Sequence, residues 1–270
     1  MEQETFQAFQ QIAYQKAGIF LRPGKAALVQ ARLARRLREL GLSTEREYLD
    51  RLRGEGAGDE LVLFLDAIST NFTKFFREPD HFEALAKDVE AMVSAGQKRF
   101  RIWCAGCSSG EEPYTAAMVL DPLLKGKDWR ILATDISTRV LSRAAQATYT
   151  DEEIGPVPEA IRSRCLEPTG RVDGVGRYTV LRRLRERVVF HRLNLASRPY
   201  PMRGPLDAVF CRNVMIYFDR PMRAGLVGEI ERVLRPGGHL FIGHSETLNG
   251  LETRLRSERP SVYRLPAEVR

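Results

Sequence analysis

Arg101 to Tyr114 reads RIWCAGCSSGEEPY. A short apolar run stops at a loop of small residues, and the chain then restarts in what scans as a helix. The run Phe100 to Cys104 predicts a buried strand. Gly106 and Gly110 let the backbone turn tightly and approach a ligand, and Pro113 suits a first helical turn. Strand, glycine loop and helix in that order open the nucleotide-binding half of an α/β fold. Glu111 and Glu112 then set two carboxylates at the helix N-terminus, where a phosphate-binding fold keeps free N–H groups and positive potential. They would repel a pyrophosphate. A cationic or zwitterionic adenosine cofactor is favoured instead, and S-adenosylmethionine carries both a sulfonium and an amino group.

Downstream of this stretch, short apolar runs alternate with helical segments: Ile131 to Thr134, Val188 to Leu193, Leu206 to Cys211 and His239 to Gly243, with Ser261 to Leu265 as a last candidate. That rhythm predicts an open, mostly parallel α/β sheet. One stretch breaks it. Between Gly170 and Arg187, β-branched and aromatic residues surround Gly174 and Gly176, which predicts a small hairpin inserted before the strand at Val188.

Upstream, to roughly Ala95, the spacing is helical. Phe6, Phe9, Ala13 and Ala17 share one face, and Val29, Leu33, Leu37 and Leu40 another. Gly18, Pro23 with Gly24, Gly41 followed by Ser43 as a cap, and the run Gly54 to Asp59 divide the region into short helices. Arg32, Arg35, Arg36 and Arg38 read as the arc opposite the leucine face, projecting into solvent together. Such an arc serves as an ordinary solvated face or as a docking surface for an acidic partner.

The 270 residues hold 42 Lys and Arg against 35 Asp and Glu, a formal charge of +7, with 43% hydrophobic and 29% charged residues. This is the composition of a globular chain able to bury a core, with a bias toward acidic partners. Neither a signal-peptide pattern nor an apolar stretch long enough for a bilayer is present, so a cytoplasmic protein without membrane insertion is expected. The four cysteines are too irregular for a disulfide framework. Cys104 and Cys107 form a CxxC without a second pair, and the four histidines show no ligand spacing, so no metal is expected.

Candidate binding residues gather where the expected strands end. Asp135 closes ILATD, at the position from which an acidic residue accepts hydrogen bonds from ribose hydroxyls. Asn194 follows VVFHRL and either donates to an adenine ring or caps a turn. Arg212 and Asn213 follow the strand of LDAVFC, with Tyr217 just beyond, at the sheet edge where ligands bind. Between the two regions, TNFTKFFRE, Thr70 to Glu78, mixes Asn71, Thr73 and Arg77 with three phenylalanines, as a site-lining domain junction would.

Taken together, TNFTKFFRE, AGCSSGEEPYT, ATDIS, FCRNVMIYF and LFIGHSETL resemble, in order and over nearly the whole chain, the chemotaxis receptor methyltransferases, the CheR family. The resemblance implies a class I S-adenosylmethionine-dependent methyltransferase of Rossmann-like α/β fold. It comprises an all-helical N-terminal domain and linker over 1–78 and a catalytic domain over 79–270, with a β-subdomain inserted at 170–187. By motif it assigns cofactor contacts to Asn71, Thr73, Arg77, Gly106, Asp135, Asn194, Leu195, Arg212, Asn213 and one or both of Glu111 and Glu112. Arg77 and Tyr217 fall nearest the chemistry, and S-adenosylhomocysteine is the product. The substrate it implies is a glutamate side chain on the cytoplasmic helical domain of a methyl-accepting chemoreceptor. The arginines at 32, 35, 36 and 38 would dock that domain, and a receptor C-terminal peptide is a further partner. The enzyme is expected to act as a monomer. A nucleic-acid methyltransferase fits the charge, but CRNVMIYF lacks the Asn or Asp, two prolines and aromatic residue usual for base methylation. A non-catalytic scaffold would keep the fold alone.

Overall fold

The computed structural model describes residues 1–54, 56–69 and 72–267. Its first quarter is helical: α1 (Gln3–Ala17), α2 (Ala26–Leu40), α3 (Glu45–Arg53) and α4 (Gly58–Ile68). Gly18 and Gly41 end the first two in the left-handed conformation, and the Thr44 hydroxyl, rather than Ser43, caps the third by accepting from Glu47 N. These helices close over a core in which the Phe9 and Phe64 rings stack at 5.4 Å and Tyr48 leans on Phe9 at 6.2 Å.

Next come α5 (Pro79–Ser94), β1 (Arg99–Ala105), α6 (Glu111–Leu123), β2 (Asp128–Asp135) and α7 (Thr138–Gln146). The small sheet region follows with β3 (Thr148–Thr150), α8 (Asp151–Ile154), α9 (Glu159–Cys165), β4 (Leu166–Val172) and β5 (Val175–Val180). The chain then returns through α10 (Arg182–Arg185), β6 (Val188–Arg192), β7 (Leu206–Cys211), a 3₁₀ turn (Met215–Tyr217), α11 (Arg220–Val233), β8 (Leu234–Ile242), β9 (Arg256–Arg259) and β10 (Val262–Arg264). Seven strands form one sheet in the order β6-β2-β1-β7-β8-β10-β9, parallel except that β10 runs against both its neighbours. This is a Rossmann-like, mostly parallel α/β sheet behind an all-helical N-terminal region.

Side-chain alternation explains the layers. Phe100, Ile102 and Cys104 of β1 point into one core and Trp103 and Ala105 into the other, and β7 splits Phe210 from Val209 and Cys211 in the same way. Each strand therefore needs apolar residues on both faces, which is why the central strands read as unbroken hydrophobic runs. On the first face Phe82, Phe210 and Phe241 stack in series, at 5.5 and 4.5 Å between centroids.

The inserted strands differ from the sequence expectation in extent. The hairpin runs Leu166–Val172 to Val175–Val180 rather than over 170–187, and the rest of that window is α10 and a turn. Thr148–Thr150 adds a third strand on the other side of β5, giving the antiparallel order β3-β5-β4. Three residues are too few to show a period, so β3 carries no pattern of its own. Among the described residues, no helix is long and apolar enough to cross a membrane.

Candidate functional site

Strand order reverses between β1 and β7, where connections leave in opposite directions, and a crevice opens at the carboxyl ends of the strands there. Its cavity volume is about 120 Å³, and it is roofed from the helical region by Ala17, Ile19 and Ser69. The linker supplies Phe72, Thr73, Lys74 and Arg77, and the strand ends supply Gly106, Glu112, Asp135, Leu193, Asn194, Leu195, Arg212, Asn213 and Tyr217. Asn71 lies outside the described residues.

Gly106 makes the first turn possible. Its φ is +81°, and a Cβ there would meet Val214 Cγ2 at 2.5 Å, so the backbone must pass where only a hydrogen fits. The amides of Gly106 and Cys107 both donate to Thr134 O, at 2.8 and 2.9 Å, which folds the loop over the end of β2. Ser108 N then donates to Asp135 Oδ2 at 2.9 Å while Ser137 N donates to Oδ1 at 3.0 Å, fixing that carboxylate at the cavity wall. Burial raises the Asp135 pKa above its ordinary value, against the pull of those amides. Gly110 has another role. A Cβ there would meet Ala144 Cβ and the Tyr149 hydroxyl at 2.9 Å, so this glycine admits α7 and the small sheet rather than a ligand.

The two glutamates divide. Glu111 is turned away from the cavity, with both carboxylate oxygens accepting from Ser109 Oγ at 2.9 and 2.8 Å. Glu112 lines it. Its Oε2 sits 3.2 Å from Arg212 Nη1, while its buried Oε1 has no hydrogen-bond partner among the described residues. Burial drives the Glu112 pKa up, partly offset by Arg212. An orphaned carboxylate oxygen beside the cavity suits a ligand bearing an ammonium or other cationic donor. The residues present thus fit an amino-acid-bearing adenosine cofactor.

Arg212 is buried by its neighbours: Nη2 reaches Glu78 Oε2 at 3.0 Å and the Arg77 carbonyl, and the guanidinium lies 5.3 Å from the Phe82 ring centre. Asn213 adopts φ +59° and donates its amide to Glu246 Oε2 at 2.8 Å. Glu246 also accepts from Gly243 N at 2.6 Å and Ile216 N at 3.2 Å, so one buried carboxylate holds the turn that carries Tyr217. Sequence reading missed Glu246 and Glu78. The only available signal was their adjacency to the GHS and FFR runs.

Arg77 donates to the Phe72 carbonyl at 3.0 Å, with its guanidinium 5.7 Å from the Phe72 ring centre, and Phe72 is exposed at the cavity mouth. Asn194 lines the cavity, yet its amide is occupied within the chain: Nδ2 donates to Lys16 O at 2.6 Å and Oδ1 accepts from Ala196 N at 3.0 Å. That favours the turn-capping role over a base contact. All four thiols are buried and free, and burial raises their pKa, most strongly for Cys104, Cys107 and Cys211, which makes them poor nucleophiles.

The arginines of α2 do not project together. Arg35 and Arg38 are exposed, whereas Arg36 pairs with Glu60 at 2.7 Å and Arg32 donates to Ile68 O at 2.5 Å, both half-buried. At 3.6 residues per turn, positions 32 and 36 flank the Val29–Leu33 face closely enough for their stems to lie along the core, while 35 and 38 fall opposite.

The family model described as CheR methyltransferase, all-alpha domain, matches residues 4–69, and CheR methyltransferase, SAM binding domain, matches 71–263. The chain is 39% identical over 264 residues to the chemotaxis protein methyltransferase of Escherichia coli, covering 96% of this chain and 90% of that protein. To chemotaxis protein methyltransferase 2 of Pseudomonas aeruginosa it is 40% identical over 263 residues, covering 96% and 92%. The chemotaxis protein methyltransferase of Borreliella burgdorferi is 36% identical over 262 residues, covering 94% and 91%.

Proposed function

The chain belongs to the CheR methyltransferase family, whose SAM-binding domain it carries, and from that membership we propose that it O-methylates glutamate side chains on the cytoplasmic helical domain of a chemoreceptor. The observation that carries the reading is the Glu112 oxygen left without a partner among the described residues, in a cavity that Arg77 and Tyr217 also line. When bound, S-adenosylmethionine supplies a sulfonium methyl group, which the substrate carboxylate oxygen takes as the thioether leaves. Glu112, Asp135 and Arg212 would hold the cofactor, with Thr73, Asn213 and the main chain at Gly106, Asn194 and Leu195 closing around it.

A glutamate substrate has a reference pKa of about 4.3 and is already a carboxylate near neutrality, so the site needs no general base. What the chain contributes is position. Arg77 offers a cation to a carboxylate entering the mouth, and Tyr217 stands on a turn held from both sides, by Glu246 and by Phe20 N, which donates to Tyr217 O at 2.8 Å. Arg77 shares its guanidinium with the Phe72 carbonyl, which tempers its grip on the substrate carboxylate. Exposed Arg35 and Arg38 support docking of an acidic receptor helix, and the exposed edge strand β4 supports addition of an extended receptor tail as a further strand.

The test is transfer of labelled methyl groups from S-adenosylmethionine in a cytoplasm-like buffer, offered receptor-bearing membranes, tRNA or DNA. Base-labile label on receptor protein is the expected result. Label on nucleic acid, or on none of them, overturns the reading.

A further inference from the structure

His81 stands in the first turn of α5 with no exposed surface, and neither ring nitrogen has a hydrogen-bond partner among the described residues. The nearest carboxylate oxygens are Glu78 Oε2, 3.5 Å from Nδ1, and Asp80 Oδ2, 3.9 Å from Nε2. From the far end of the chain His244 brings its ring edge-on to His81, 4.9 Å between centroids at 83°. Glu78, His81 and His244 each offer a ligand atom within 4.8 Å of the other two.

Purely structural packing does not account for this group. A buried imidazole with both nitrogens unsatisfied forfeits hydrogen bonds that a phenylalanine would never need. Glu78 is held at φ +55°, a left-handed conformation that a glutamate adopts only when its surroundings impose it. Asp80 Oδ2 meets His244 Nε2 at 3.1 Å, the carboxylate–imidazole contact that orients metal-binding histidines.

We propose that Glu78, His81 and His244 bind one divalent transition-metal ion of the zinc type. Two imidazoles and one carboxylate suit such an ion, and the set has too few oxygens for magnesium or calcium. The Arg212 guanidinium pairs with Glu78. Arg212 also opposes an incoming cation. Against it stand two carboxylates, Glu78 and Asp80, both beside the His81 ring. His244 is half exposed and gives the ion a path from solvent. Ligands about 2 Å from a tetrahedral ion lie closer together than 4.8 Å, so His244 swings inward on binding. The ion would draw on the carboxylate that pairs with Arg212 at the cavity, so its occupancy bears on the neighbouring site.

Sequence reading treated all four histidines as structural, because ligands 163 positions apart make no spacing motif. Chelator-treated full-length protein titrated with Zn2+ by calorimetry, and with Co2+ followed by visible absorption, tests the assignment. One ion per chain is expected, with affinity reduced at least about tenfold in His244→Ala and in Glu78→Gln and unchanged in His191→Ala. Because His244 is half exposed, His244→Ala keeps the fold, which circular dichroism checks. Absence of stoichiometric binding, or binding of equal strength in folded His244→Ala, overturns the proposal.

Discussion

Arg212 and Glu112 meet inside the cavity with 3.2 Å between Nη1 and Oε2, and the same guanidinium closes on Glu78 Oε2 at 3.0 Å. One buried cation thus holds two carboxylates, one from the linker and one from α6. Removing it strands both. Arg212→Met should cost about 3–5 kcal/mol of unfolding free energy, the usual consequence of leaving a buried charge unpaired. Urea denaturation measures it, and a loss under about 1 kcal/mol would show that the carboxylates find water or each other's proton instead.

Glu112 also sets a pH dependence. Its folded pKa is raised by burial, so its contribution to stability is present below the unfolded carboxyl value and is lost as pH rises through the folded value. Cofactor affinity runs the other way, because only the ionised carboxylate attracts a cationic ligand. Calorimetric affinity for S-adenosylmethionine should therefore climb with pH in the mildly acidic range and level off above it. Glu112→Gln should flatten that climb, and an unchanged profile would remove Glu112 from cofactor binding.

Glu246 accepts three main-chain hydrogen bonds around the Tyr217 turn. In Glu246→Gln an amide nitrogen takes the place of one of those acceptors. Loss of about 2 kcal/mol is expected, at roughly 1.5–3 kcal/mol per hydrogen bond to a charged group. Turnover should fall more than cofactor affinity does. Equal falls in the two would place the effect at the cavity wall rather than at Tyr217.

At Gly106, alanine meets two separate obstacles: the clash with Val214 Cγ2 at 2.5 Å and a φ of +81°. Val214→Ala relieves only the first. Gly106→Ala should weaken cofactor binding strongly, and the double variant should recover part of the loss, leaving about 1–2 kcal/mol of backbone strain in thermal unfolding. Full recovery would mean that the left-handed turn is not required.

The α2 arginines separate by charge reversal. Arg35→Glu with Arg38→Glu should leave thermal stability nearly unchanged while reducing receptor methylation, with salt sensitivity falling in parallel. Arg36→Glu should unfold more readily, since it sets a second carboxylate against Glu60, which also accepts from the Tyr48 hydroxyl at 2.7 Å. Loss of methylation at constant stability in Arg36→Glu alone would reverse these roles.

How far the chain could be read without its structure followed from the distance over which each feature is built. The strand Leu206–Cys211 was legible to the residue, because all six positions are buried and both faces demand apolar side chains. Its continuation into Arg212 and Asn213 marked the sheet edge for the same reason. Arg32 and Arg36 misled, since a long stem lets a charged residue border a core while the sequence registers only its charge. Glu111 and Glu112 stood undivided, because adjacent helical positions differ by a rotation that only the packing of α6 fixes. Glu246 left only its adjacency to the GHS run, and the pairing of His81 with His244, assembled across 163 positions, left no trace.

The seam between the helical region and the Tyr217 turn reaches beyond this chain. The helical region touches the turn of Tyr217 through main-chain and side-chain hydrogen bonds together: Phe20 N to Tyr217 O at 2.8 Å, and the Tyr14 hydroxyl to Asp219 Oδ2 at 2.9 Å. The halves are therefore not interchangeable cartridges. A hybrid that grafts a homologue's helices onto this sheet inherits that homologue's stitch to Tyr217, and so carries any mismatch there into a residue that lines the cavity.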